Sequence, residues 1–195
     1  MEQKDLEYLD RYELKLEEEL VRVATTSKML NGVLLSTEDI DAHWKALAPE
    51  YVADAIKEIA EYPVVSVAWA AYLGLAVAKG WDTDWKATLE QPYTSYYGSR
   101  GFDDLDEHVT HDLLGLELDS PEAMDLEECL RSAGEKTTSL IRHEQIEPQS
   151  VMAFHVFARS IKAMFRLGAA IELYRLGYKF EKMSMADLAQ QQMPS

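Results

Sequence analysis

Asp104, His108 and His111 stand at i, i+4 and i+7, a spacing that puts one carboxylate and two imidazoles along a single stripe of an α-helix. Such a donor set suits zinc, iron or nickel, and His143 or Glu144 from a later helix can complete the shell. A divalent transition metal is the one cofactor chemistry this sequence offers, and no other cofactor is predicted. The same residues also fit a plainer arrangement, in which polar histidines border a core and bond to a neighbouring carboxylate. The stripe is not HExxH, and Glu-x-x-His occurs nowhere, so the carboxylate-bridged di-iron pattern of helical bundles is absent.

A second stripe is basic. His155, Arg159, Lys162 and Arg166 recur at steps of four, three and four, so they share one face of a helix. From Phe154 to Lys182 there are six Lys or Arg against two acids, whereas Ser99 to Glu128 carries eleven acids and one base, Arg100. The simplest expectation is that the two blocks pair with each other. The alternative is a pocket for a small anionic ligand, built from Arg159, Lys162 and Arg166 with Arg100.

Arg100 closes the stretch YTSYYGSRG, residues 93–101, the least helical part of the chain and its most plausible long loop. Tyr96 and Tyr97, with Tyr93, can stack on a ligand there or pack on their own domain. Gly98-Ser99-Arg100-Gly101 lacks the GxxxxGK[ST] spacing of a phosphate loop and reads as a turn. Cys129 sits beside Glu127 and Glu128, which discourage a thiolate, and no GxSxG element supports a serine nucleophile.

The elements that must position these groups are helical. Pro63 to Ala78, PVVSVAWAAYLGLAVA, has no charged residue in a chain of 195 that is 28% charged, and it is apolar nearly all round. That marks a helix buried on every side. It is too short for a membrane span and opens onto acidic sequence. Pro63 suits the first helical position, and Gly80 its far end.

Around this rod, apolar residues recur at helical steps from about 4 to 30, with Asn31-Gly32 as a stop. They recur again from Thr37 to Tyr62, interrupted by Pro49, in a short helix capped by Asp82, and from Phe102 to Leu116. Ser120-Pro121-Glu122 is a helix start, with Ser as N-cap and Pro at N1, and Pro148 opens a last long helix that ends at Gly177. A further turn is expected after Ser184, and 187–195 reads as a frayed tail. The expectation is an all-α, single-domain bundle of six or seven helices spanning 1–195 around a buried apolar helix at about 63–79, with neighbours roughly antiparallel.

The totals narrow the function classes. A formal charge of -16 opposes nucleic-acid phosphates and anionic lipid, so neither nucleic acid nor membrane is an expected partner. One cysteine excludes an intrachain disulfide and a Cys-rich zinc site. The first residues have neither a basic nor an apolar signal region, which points to the cytoplasm. Eight Met, ten Tyr and four Trp supply contact surface, while no motif carries a complete catalytic set. The favoured expectation is a non-catalytic protein that acts by self-association, as a homo-oligomer, or by binding a protein partner. The alternative is a small-molecule or metal-dependent enzyme, its site between the 93–101 loop, the Asp104/His108/His111 stripe and the basic helix 155–166.

Overall fold

The computed structural model describes residues 2–179, and all structural statements below concern them. The protein is an all-α bundle: α1 (Gln3–Thr26), α2 (Glu38–Glu58), α3 (Pro63–Glu90), a short α4 (Leu105–Glu107), α5 (Pro121–His143) and α6 (Val151–Arg175). Between α3 and α5 the chain also makes 3₁₀ turns at Tyr93–Tyr96 and Phe102–Asp104 and a π-helical turn at His108–Leu113. The expected turn after Ser184 and the tail 187–195 lie outside the described residues.

The uncharged stretch is the axis of the bundle. From Ser66 to Ala78 every residue of α3 except Trp69 is buried, because α2, α5, α6 and the 93–113 segment pack around it. Among the described residues α3 alone is long and apolar enough to cross a membrane, and the apolar part of it forms the core of the bundle. Its closest neighbour is α6. A Cβ on Gly74 would lie 2.0 Å from the Phe165 carbonyl oxygen, and one on Gly168 would lie 1.8 Å from that of Ala71. Only glycine on both helices permits this crossing. One core cluster joins all the long helices, with Trp44 of α2 stacked on Phe165 of α6, ring centroids 4.7 Å apart.

Several boundaries differ from the sequence reading. Helix α3 does not stop at Gly80 but continues to Glu90 through a break at Asp84, whose φ and ψ of -157° and 91° are not helical. The second segment is capped by Asp84, which accepts from the Ala87 amide at 3.0 Å, and not by Asp82. Gly80 serves packing: a Cβ there would meet the Thr88 hydroxyl at 2.2 Å. Pro49 neither ends nor restarts α2, which runs through it. Helix α1 ends at Thr26, before Asn31-Gly32, with Lys28 at φ 62°. The starts at Thr37, Ser120 and Ser150 are capped by their own side chains.

Directions are mixed. Helices α2 and α3 are antiparallel, tied by the Tyr51 hydroxyl donating to the Ser66 carbonyl at 2.9 Å and by Trp81 beside Asp39. By contrast α1 and α6 run the same way, as Asp10, Glu13 and Glu17 meet Arg159, Lys162 and Arg166 in order.

Candidate functional site

The basic stripe of α6 is consumed inside the bundle. Buried Glu13 of α1 accepts from Lys162 at 2.6 Å and from Arg159, Arg166 pairs with Glu17, and Arg159 also reaches Asp10 at 3.1 Å. Burial by itself would raise the Glu13 carboxyl, but the Lys162 and Arg159 hydrogen bonds outweigh it and hold the group below its usual range. Glu17 goes the other way, raised by burial despite Arg166. Arg100, meanwhile, turns onto Asp104 in its own loop. The four cations proposed for an anion pocket are therefore each held by a carboxylate, and Arg100 is not joined to the α6 stripe.

The expected pairing of the two charge blocks is also not what the fold makes. It is α1 that lies along the basic face of α6, and Arg175 to Glu122 is the one ion pair between the blocks among the described residues. The acidic block is left largely on its own. Of its eleven acids, Asp104, Glu122 and Glu128 pair with arginines, and Asp112 and Glu117 face histidines. Among the described residues Asp103, Asp106, Glu107, Asp119, Asp125 and Glu127 have no cationic side chain within ion-pair distance.

Three of these six, Asp106, Glu107 and Glu127, line two adjoining clefts. The larger, about 390 Å³, lies between the 97–99 turn and the π-helical turn, lined by Asp104, Glu107, His108, His111 and Asp112 with Leu118 at its edge. The metal-stripe residues Asp104, His108 and His111 thus meet one cleft, but not as a ligand shell. Asp104 is buried under the Gly98–Gly101 turn and accepts from the Ser99 hydroxyl at 2.9 Å, the Arg100 amide at 2.8 Å and the Arg100 guanidinium. The Arg100 bond, chiefly, holds its carboxyl at about 2.

His108 and His111 both turn to Asp112, at 2.7 and 2.8 Å, and the second nitrogen of His108 lies 3.2 Å from the Ser95 carbonyl. The Asp112 bond raises His111, favouring its imidazolium. His143 is elsewhere, at the end of α5, bonded to the Ser139 carbonyl at 2.6 Å. Among the described residues no three His, Cys, Asp or Glu are placed to share a metal ion.

Tyr93 and Tyr96 are buried, whereas Tyr97 is half-buried and lines the larger cleft. Tyr96 is 2% exposed and its hydroxyl has no partner among the described residues, while the Tyr97 hydroxyl donates to Asp54 of α2. Burial, before the Asp54 bond, pushes Tyr97 up to about 12. The Ser99 hydroxyl is bonded to Asp104 rather than to an imidazole.

The smaller cleft, about 170 Å³, shares Glu107 and Leu118 with the first and adds Tyr72, Asp106, Thr110, Ala123 and Glu127. Sequence reasoning counted Tyr72 as core filling, Asp106 as one member of an acidic run and Glu127 as another member and a neighbour of Cys129. One signal was available: a tyrosine within an uncharged buried helix needs a partner for its hydroxyl. Burial chiefly, with Glu107 and Glu127 adding, lifts the Asp106 carboxyl to about 6. The π-helical turn builds this wall, with the Leu114 amide bonding back to Val109 and that of Leu116 to Thr110, and Gly115 at φ 71° turning the chain away.

Comparison with known proteins finds no matching family model, no similar curated protein and no matching solved structure.

Proposed function

We propose that the protein is a non-catalytic binding protein that engages a basic segment of a protein partner across the acidic face formed by residues 103–127. The observation that carries this reading is the set of six carboxylates, Asp103, Asp106, Glu107, Asp119, Asp125 and Glu127, with no cationic partner, next to clefts able to seat side chains. A field of one sign steers oppositely charged partners and rejects like-charged ones more than it adds affinity. Binding of a fluorescent oligolysine peptide at low ionic strength tests the reading. The native protein should bind it, and the combined Glu107→Gln, Asp119→Asn and Glu127→Gln variant should lose most of the binding. Equal binding by both proteins, or none by the native one, overturns it.

Self-association is the second reading, favoured by a separate feature. An apolar groove runs between the start of α3 and the end of α5, lined by Ile59, Pro63, Val67 and Ile141, and beside it Ile56 and Tyr62 are 46% and 57% exposed. Light scattering that finds only monomer across concentrations removes this reading and leaves the first intact.

A further inference from the structure

Two nearly buried residues line the smaller cleft with hydroxyls that bond to no other side chain or backbone group among the described residues. Tyr72 is 4% exposed and Thr110 6% exposed, yet neither hydroxyl has a hydrogen-bond partner among the described residues, and both residues line the cleft. The Tyr72 ring is fixed by an edge contact with Trp69, centroids 5.7 Å apart, and its hydroxyl feels the charges of Asp106 and Glu127. Asp106 and Glu127 have no ion-pair partner, and they approach from different elements, α4 and α5, while Tyr72 comes from α3 and Thr110 from the π-helical turn.

We infer that the cleft formed by Tyr72, Asp106, Thr110 and Glu127 is a receptor for a primary ammonium group, the ε-ammonium of a lysine on the partner segment. The lysine as source rests on the reading of the acidic face as a docking surface; the ammonium chemistry rests on the cleft. All four side chains can accept, and an ammonium brings three N–H donors and no acceptor. Acceptors that line one cleft from α3, α5 and the 105–113 segment suit a tetrahedral head better than a planar guanidinium, which prefers both oxygens of one carboxylate. A metal ion is the poorer match, since no three ligating side chains here are placed to share one. The cleft volume of about 170 Å³ fits such a head and the methylenes next to it, with Leu118 and Ala123 as the apolar wall.

The test compares n-butylammonium with tetramethylammonium at equal ionic strength and pH 7.5, reading the melting temperature and the chemical shifts of residues around the cleft. The native protein should show a saturable rise in melting temperature and local shift changes with n-butylammonium only, because tetramethylammonium has no N–H to donate. Asp106→Asn and Tyr72→Phe, both nearly isosteric, should stay folded and weaken the response by about tenfold. A response to n-butylammonium no larger than to tetramethylammonium, or one unchanged in Asp106→Asn, overturns the inference. Oligolysine and oligoarginine peptides of equal length then separate the two readings. Preference for oligolysine that disappears in Asp106→Asn supports the lysine source. Oligolysine binding without any n-butylammonium response sinks the ammonium receptor and leaves the docking surface standing, whereas the reverse pattern keeps the receptor and removes the docking surface.

Discussion

Glu13 and Asp106 are both carboxylates in partly dehydrated places, and the fold treats them oppositely. Glu13 has two cations and is held ionised, so the unfolded chain binds its proton more readily. The stability it adds is present above the unfolded carboxyl value near 4.5 and is lost as pH falls through its lowered folded value. Glu13→Gln should lower stability near neutral pH by about 1–3 kcal/mol, since Arg159 and Lys162 are left facing a neutral amide.

Asp106 has no cation, and its folded value of about 6 lies above the ordinary 3.8. Its burial is harmless below pH 4 and becomes a penalty as pH rises through 6. Asp106→Asn should therefore stabilise the protein at pH 7.5 by about 1–2 kcal/mol, discounted for partial exposure, and leave it unchanged at pH 4. Denaturant melts at the two pH values check this. A purely structural carboxylate would give the opposite sign. The donor types at Asp104, His108 and His111 were legible in the sequence, but not that Asp104 is turned under Arg100 and that both histidines share Asp112, because a helix stripe assumes a regular helix and the chain here is 3₁₀, α and π in succession.

The crossing of α3 and α6 is where one added carbon should matter most. Gly74→Ala or Gly168→Ala would set a methyl about 2 Å from a backbone carbonyl oxygen of the facing helix, and neither backbone can yield without moving the core. Each substitution should destabilise by about 1–3 kcal/mol or more, read by chemical denaturation. Gly134→Ala, which meets mainly side-chain atoms at 3.0 Å and beyond, should cost less. Gly98→Ala should loosen the turn over Asp104, since its Cβ would lie 2.3 Å from that residue's own Cβ; amide exchange across 97–104 should then quicken. Helix α3 itself was readable from composition because a run without charge can only be buried. Its true end was not, since Gly80 follows the pattern of a stop signal yet serves as the seat for Thr88.

A charge of -16, with the basic stripe consumed between α1 and α6, leaves many surface carboxylates without a cation. Exposed acids are screened within about 8 Å at physiological ionic strength, whereas the half-buried pairs of Glu13 and Glu17 are screened much less. Moderate sodium chloride should accordingly raise the melting temperature, and a fall on adding salt would mean that surface ion pairs dominate instead.

The all-α class, the buried rod and the capped starts of α2 and α5 were determined by the sequence itself, because hydrophobic period and capping act over a few neighbouring residues, whereas α6 starts after a Ser150 cap and not at Pro148. Which charges distant in the sequence meet was decided by the tertiary structure alone. Pairing depends on which helices lie side by side, and with α1 laid along α6 most of the acids of 103–127 were left without a cation, with Tyr72 and Thr110 lining a cleft among them.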